Sequence, residues 1–481
     1  MTATAGISSR ELAASIVLRL QQAGFSAFWV GGCVRDFLLG REPQDYDIAT
    51  DARPEQIEQL FKRTLGVGRK FGVMIVIEGK QQFQVATFRA EADYQDGRRP
   101  GKVVFSNAEA DAQRRDFTVN GLFYDPIAEK LHDWVGGGKD LRAKIIRTIG
   151  APEERFAEDH LRLLRAIRFA AQLGFEIEPQ TFAAVKKLAP KIELISAERV
   201  RDELIKLFAP PPGMPASSRR FVDPPTPKLA GKMPALPAPA GRGLVLLRDS
   251  RLLPGVLPEL IATLLCQQSP DYHPEGTVFE HIRLMLEKMP PGASPSLPWA
   301  VILHDIAKPA TAERDPATGA IHFYGHEKVG AAMADRILQR LRFPKKQIAE
   351  IVACVLNHMQ FKDVKQMRKA TLRRLLLRDT FPLELELHRL DCLGSHGKLE
   401  HYEFLLAQAE ELKQQPAIRP PLLTGRDLIE LGMKPGPALG ALLDEIREKQ
   451  LADELKTPRA ARAWVKKRLE LDAGAIASGE A

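Results

Sequence analysis

Apolar positions along this chain follow two periods, and the period changes part-way. Near the start Leu12, Ile16 and Leu20 fall at helical spacing, with Arg10, Glu11 and Arg19 between them, which predicts an amphipathic helix. Short runs follow at Phe28–Val30, Tyr46–Ala49, Val73–Ile77 and Gln84–Phe88, parted by glycine-rich turns, and these read as strands. Beyond residue 150 the spacing is helical at Arg155–Leu173, Pro179–Leu188 and Ala197–Phe208, with Pro152, Gly174 and Pro190 as punctuation. Residues 210–243 break the pattern. Ten of these 34 residues are proline and four are glycine, so the stretch reads as an extended linker or insertion without a packed core. From there to the C-terminus nearly everything is helical in pattern, with breaks at Met289–Pro298, Ile418–Pro421 and Lys434–Pro437 and no repeat of fixed period. The pattern as a whole predicts an α+β class: a mixed sheet with helices first, then an all-α remainder.

Composition narrows the setting. The 481 residues suffice for several cores, at roughly 150 per domain. Hydrophobic residues make up 44% and charged residues 27%, which excludes a wholly disordered chain. No apolar run reaches the roughly 20 residues of a spanning helix, so no membrane partner is expected. The start lacks the form of a signal peptide. Cys33, Cys266, Cys354 and Cys392 lie far apart, which argues against a zinc ribbon or a disulfide framework and fits a cytoplasmic setting. The net charge of +8 is compatible with a polyanionic partner.

Candidate chemistry begins in residues 28–52. A strand runs into Gly31-Gly32, where backbone N–H groups can come close to a phosphate. Asp45-Tyr46-Asp47 follows. If these residues are in a strand, Asp45 and Asp47 share a face and can hold one Mg²⁺ pair for phosphoryl transfer. Arg114, Arg115, Asp116 and Asn120 supply guanidinium forks for phosphate oxygens and acceptors for ribose hydroxyls. In Glu158-Asp159-x-x-Arg162, a helical spacing of i, i+3 brings Asp159 and Arg162 to one spot. An Asp can accept from the exocyclic amine of C or A while an Arg donates to the neighbouring ring nitrogen. G and U present a carbonyl and an N–H there, and both pairings fail. Arg165 and Arg168 continue the basic side.

These segments resemble, in order, the motifs of the class II nucleotidyltransferases: the bacterial tRNA CCA-adding enzymes and related poly(A) polymerases. GGCVRDFLLG with DYDIAT resembles the first motif, and VGRKFGVMIV the segment after it. ATFRAEADYQDGRRPGKVVF, residues 86–105, resembles the flexible loop. RRDFTVNGLFYDP, WVGGGKDLRAKIIRTIG, RFAEDHLRLLRAIRFAAQLGF and ISAERVRDELIKLF resemble the second to fifth motifs. The resemblance implies a nucleotidyltransferase head at 1–150, a helical neck for base recognition at 151–209, the linker at 210–243, a helical body at 244–400 and a helical tail at 401–481. It implies Mg²⁺ on Asp45 and Asp47. It also implies nucleotide binding by Gly31, Gly32, Arg35, Arg89, Arg114, Arg115, Asp116, Asn120, Glu158, Asp159, Arg162, Arg165 and Arg168. The substrates would be ATP, CTP and the 3′ end of a tRNA.

A second constellation lies in the body. Nine of eleven histidines fall in residues 273–401. His281, His304-Asp305, His326, His358 and Asp391 resemble the ligand pattern of an HD domain, a helical metal-dependent phosphohydrolase fold. Imidazoles and carboxylates of this kind suit Ni²⁺, Mn²⁺, Fe²⁺ or Zn²⁺. His273, His322, His388, His396 and His401 read as surface or capping residues. Residues 362–378 read as a basic helix whose Lys362, Lys365, Arg368, Lys369, Arg373, Arg374 and Arg378 could track an RNA backbone. Two other readings stand beside CCA addition. One is a poly(A) polymerase or an enzyme adding only C or only A. The other is an HD phosphohydrolase whose head merely binds nucleotide. Nothing in the sequence bears on the oligomeric state.

Overall fold

A computed structural model describes residues 7–94, 100–210, 239–270, 272–414 and 420–478. It divides into two compact units. The first comprises residues 1–265, 286–298 and 337–343, and the second 266–285, 299–336 and 344–481.

The first unit opens with the expected amphipathic helix, Ser9–Gln22. Ser8 and Glu11 close a reciprocal capping box at its start, and Ala13, Ile16, Val17 and Leu20 are buried along one face. The sheet that follows contains β1 (Ala27–Val30), β2 (Ile48–Thr50), β3 (Thr64–Gly68), β4 (Val73–Glu78) and β5 (Gln81–Thr87). After the separate hairpin of β6 (Arg89–Tyr94) and β7 (Pro100–Phe105), it is completed by β8 (Phe123–Asp125) and β9 (Lys130–His132). Its order is β3-β4-β5-β2-β1-β8-β9. Within this sheet β2 and β5 pair in parallel, with Ile48 opposite Val85, and its other pairs are antiparallel. Val30, Ala49, Phe88, Ala112 and Phe123 form a core beneath the sheet. The tip of the segment read as a flexible loop, residues 95–99, lies outside the described residues.

Three sequence readings need correction here. Asp45 and Asp47 precede β2 rather than lying in a strand, so they do not share a face by pleat alternation. The helix expected at Arg155–Leu173 is two helices, Pro152–Glu158 and Leu161–Leu173. Asp159 between them is extended, at φ −151°, and its Oδ1 accepts from the Leu161 N–H at 3.0 Å. This local side-chain bond competes with helix continuation. The stretch read as linker to residue 243 ends sooner, because a helix runs over Pro239–Asp249. Ala240, Gly241, Gly243, Leu244 and Leu247 are buried on it, and Gly243 packs on Leu207. The rest of that stretch, 211–238, lies outside the described residues.

The second unit is helical. One core gathers Phe361, Val364, Leu372, Leu375, Phe381, Leu385 and Leu405. Another gathers Leu423, Leu428, Leu442, Ile446, Leu455, Ala461 and Val465. Leu405 belongs to the first of these, so the packing does not divide at residue 400. The body expected from residue 244 does not divide there either: residues 244–265 belong to the first unit. The basic helix is also broken, into a 3-10 stretch His358–Gln366 and an α-helix Lys369–Leu376. Lys369 and Arg373 reach Asp453 at 2.6 and 2.7 Å, Arg374 pairs with Glu448, and Lys365 and Arg378 meet Glu400 and Glu384. Most of the expected cationic face is therefore spent on acids of the same unit.

Candidate active site and metal centre

In the first unit a cavity of about 530 Å³ opens where the chain turns from β1 into the helix Gly32–Leu38. Gly31, Gly32, Arg35, Asp47, Arg89, Arg114, Arg115, Asp116, Asn120, Asp159, Arg162 and Arg165 line it, together with Leu161, Phe169 and Arg199. Gly31 sits at φ +75°, and a Cβ there would come within 2.9 Å of Arg115 Nη1. The backbone conformation therefore favours glycine, and a side chain there would also push the Arg115 guanidinium aside.

Buried acids set the arginines. Asp111, outside every motif singled out in the sequence, bonds Arg114 Nη2 at 2.6 Å and Arg115 Nη2 at 3.1 Å. Burial raises its carboxyl, but the two arginines more than offset this and hold it below the usual range. Asp116 Oδ2 receives Arg165 Nε at 2.7 Å, and its Oδ1 accepts from Asn120 Nδ2 at 3.2 Å. Asn120 Oδ1 in turn accepts from Arg35 Nη1 at 2.7 Å. Asp47 opens into the cavity with protein packed around it. Its side chain is exposed at the cavity, yet the protein around it strips part of its hydration and raises its carboxyl, and Arg115 only partly offsets the effect. Asp45 is exposed, and its charge reaches Asp47.

Asp159 and Arg162 both line the cavity although the helix breaks between Glu158 and Leu161. Asp159 Oδ2 is held by Arg199 Nη2 at 2.7 Å. Arg162 Nη1 bonds Glu158 and donates to the Arg155 carbonyl at 2.9 Å. Glu158 thus acts on Arg162 from behind rather than facing the cavity. Arg168 is also turned away, bonded to Glu203 at 2.6 Å, with its guanidinium 4.1 Å above the Phe169 ring. Asp111, Arg199 and Glu203 were missed in the sequence. Asp111 stands three and four residues before Arg114 and Arg115, a helical ion-pair spacing that could have flagged it.

In the second unit His281, His304, Asp305, His326, His358 and Asp391 converge. His281 Nε2 is 3.0 Å from Asp391, and His304 Nε2 is 3.2 Å from Asp305 Oδ2. Asp305 Oδ1 faces His326 Nε2 at 3.4 Å and His358 Nε2 at 3.7 Å. The donor atoms fall into overlapping sets, His281–His304–Asp305 and Asp305–His326–His358, each within 4.8 Å, with Asp305 shared. The Nδ1 atoms of His304, His326 and His358 each meet a backbone carbonyl, of Val301, Phe323 and Val355, at 2.6–2.8 Å. A carbonyl only accepts, so Nδ1 carries the proton and Nε2 presents a lone pair inward. His326 Nε2 and His358 Nε2 face each other at 3.1 Å. The buried Nε2 atoms of His281 and His304 make no hydrogen bond. This donor set fits divalent transition metals.

The electrostatics agree. Burial lowers His281, but the carboxylates of Asp391 and Glu275 beside it outweigh this and raise it to about 9, so a positive charge, whether a proton or a metal ion, is favoured there. Burial, then the charge of His304, pushes His358 down to about 3 and keeps its ring neutral. Burial raises Asp305, yet His304 and Lys308 hold it well below the usual range. Lys308, a further residue missed in the sequence, is buried and lies 2.7 Å from Asp305 and 2.6 Å from Gln268 Oε1. His273, read as a surface or capping residue, is partly exposed and meets Glu275 beside this cluster at 2.9 Å.

Comparisons with known proteins follow the same division. Residues 27–147 match the family described as the Poly A polymerase head domain. Residues 174–214 match the probable RNA and SrmB-binding site of polymerase A, and residues 273–391 match the HD domain. The CCA-adding enzyme of Enterococcus faecalis is 46% identical over 197 residues, 41% of this chain and 48% of that protein. The CCA-adding enzyme of Staphylococcus aureus is 45% identical over 199 residues, 41% of this chain and 50% of that protein. The chain thus spans about half the length of the curated relatives it matches. The structure of the Bacillus stearothermophilus CCA-adding enzyme in complex with CTP aligns over 97% of this chain and 100% of that one, with TM-score 0.69 and 24% identity, which shows a shared fold. The Thermotoga maritima CCA-adding enzyme complexed with tRNA aligns with TM-score 0.55 at 18% identity, over 95% of each chain. No described helix is long and apolar enough to cross a membrane. A segment matching the polymerase head, one matching its RNA-binding site and one matching the HD domain thus follow one another along the chain.

Proposed function

We propose that the first unit adds C, C and A from CTP and ATP to the 3′ end of a tRNA. The observation that carries this reading is one cavity uniting Asp47 with five arginines of the motifs and with Asp159 and Arg162. In each addition the terminal 3′ oxygen attacks the α-phosphorus, the bond to the bridging oxygen breaks, and pyrophosphate leaves. Mg²⁺ held by Asp45 and Asp47 would lower the pKa of the attacking hydroxyl and neutralise the triphosphate. Arg35, Arg89, Arg114 and Arg115 take the phosphate oxygens, and Asp116 with Asn120 orients the ribose. Asp159 and Arg162 read the base edge. Arg165 acts through Asp116, Glu158 through Arg162, and Arg168 through Phe169 and Glu203. The curated relatives are CCA-adding enzymes, and the solved structures include complexes with CTP and with tRNA, which favours this substrate set.

The histidine cluster supports a second activity, metal-dependent hydrolysis of a phosphoester. A divalent metal there would supply an activated water at neutral pH, and Lys308 would offer a cation to phosphate. Purified protein given a tRNA lacking its CCA end, with CTP and ATP singly and together, tests the first reading. Addition of C, C and A followed by termination is expected. A long poly(A) ladder on arbitrary RNA, without C, would replace it with the poly(A) polymerase reading.

A further inference from the structure

One carboxylate beside the histidine cluster faces none of the inward ring nitrogens. Three of the four histidines fix the Nδ1 proton with a backbone carbonyl of the preceding helical turn or loop. His281 differs: its Nδ1 lies 2.6 Å from Glu275 Oε1. Glu275 sits in a tight loop whose ends are tied by a bridge between Gln267 and Thr277. Within it the Gln268 N–H donates to the Gly276 carbonyl, and Gly276 adopts φ +99°. Glu275 Oε1 also meets His273 Nδ1 at 2.9 Å, and its buried Oε2 has no hydrogen-bond partner.

Resting on the metal-centre reading above, we infer that Glu275 is a positioning residue for one half of that centre, with His273 anchoring it in turn. A carboxylate is a stronger acceptor than a carbonyl. It holds the His281 proton on Nδ1, keeps the Nε2 lone pair aimed at the space shared with His304, Asp305 and Asp391, and makes that nitrogen a better donor to a cation. His273 satisfies the same oxygen from the other side and limits rotation of the carboxylate. The two halves of the centre therefore differ: the His281 half is tuned by a charged residue, and the His326–His358 half by neutral backbone.

The test uses the full chain, stripped with a chelator and titrated with Mn²⁺ or Ni²⁺ against a chromophoric competitor, with bound metal counted by elemental analysis. Wild type should bind, and D305A should bind weakly or not at all. E275Q should bind the same number of ions as wild type, with one affinity weakened about tenfold or more. E275D should recover part of that loss, and H273A should show a smaller one. Metal-free E275Q should melt with wild type and add nucleotides normally, which separates positioning from folding. Wild-type affinities in E275Q would overturn the inference while leaving the metal centre standing. A stoichiometry lowered by one ion would also overturn it, by making Glu275 a direct ligand. A wild-type chain that binds neither metal would sink the metal-centre reading and this inference with it.

Discussion

Asp111 is a residue whose importance is invisible in motif reading. It is 1% exposed and carries two arginines of the first unit's cavity on its two oxygens. Replacing it with Asn keeps the shape but removes the charge that fixes both guanidinium groups. Asp111→Asn should raise KM for CTP and ATP more than it lowers kcat, by a free energy of about 1–3 kcal/mol. Steady-state kinetics with each nucleotide checks this, and an unchanged KM would show that the arginines hold their places without it. The role proposed for Asp159 and Arg162 differs: they would select the base rather than merely bind it. Asp159→Ala and Arg162→Ala should each cost roughly 1–3 kcal/mol with the cognate base and make UTP or GTP relatively better substrates. Wild-type nucleotide preference in both variants would remove the base-reading role.

Elements show where sequence was legible and where it was not. The strands β1, β4 and β5 and the helices Pro179–Leu188 and Ala197–Leu207 stood out because their periodic apolar faces are buried as the pattern implies. The break at Asp159 was not legible, since the surrounding residues keep helical spacing and a single side-chain bond decides the matter. The helix at Pro239–Asp249 was masked by its Pro-Ala-Gly-Arg-Gly start, which composition assigns to a linker. Its glycine has a packing role: a Cβ on Gly243 would meet Leu207 at 2.6 Å. Gly243→Val should therefore lower stability by about 1–3 kcal/mol through overpacking, read as a lower thermal midpoint. A midpoint equal to wild type would mean that the two helices part easily. That the histidines of the body form a set was legible, because their density in one quarter of the chain exceeds chance and His281, His304, His326 and His358 do converge. Their common orientation was not, because it depends on carbonyls and on Glu275. The basic stretch misled, because its acidic partners lie 35 to 84 residues further on or on another helix. Asp453 carries a testable consequence. Its bonds to Arg373, then Lys369, lower its pKa to about 2. The unfolded value is about 3.9, so the stabilisation is complete above that pH and is lost as pH falls through about 2. Asp453→Asn should lower the melting midpoint at neutral pH, with the gap narrowing between about pH 4 and pH 2. A gap independent of pH across that window would assign the effect to shape instead of charge.

At the scale of the whole molecule, the chain holds two candidate centres of opposite design. The first is an arginine-rich cavity built for a polyanion, with Asp47 at its edge and its lining residues all within 31–199. The second is a knot of buried imidazoles and carboxylates that favours cations, with its donors between 281 and 391. Each draws its side chains from a single unit. No side chain named in one centre belongs to the other, so loss of one centre's donors leaves the other's hydrogen bonds and charges in place, and the two changes are expected to act independently. Asp47→Ala should abolish nucleotide addition while metal binding and phosphoester hydrolysis continue. His304→Ala with Asp305→Ala should abolish metal binding and hydrolysis, while addition of C, C and A stays near the wild-type rate. Assaying both reactions on both variants, with the metal content of each preparation measured, makes the cross-comparison complete. Loss of both activities in either variant would show that the two centres work as one machine, and the division of labour drawn from their separate donor sets would then be wrong.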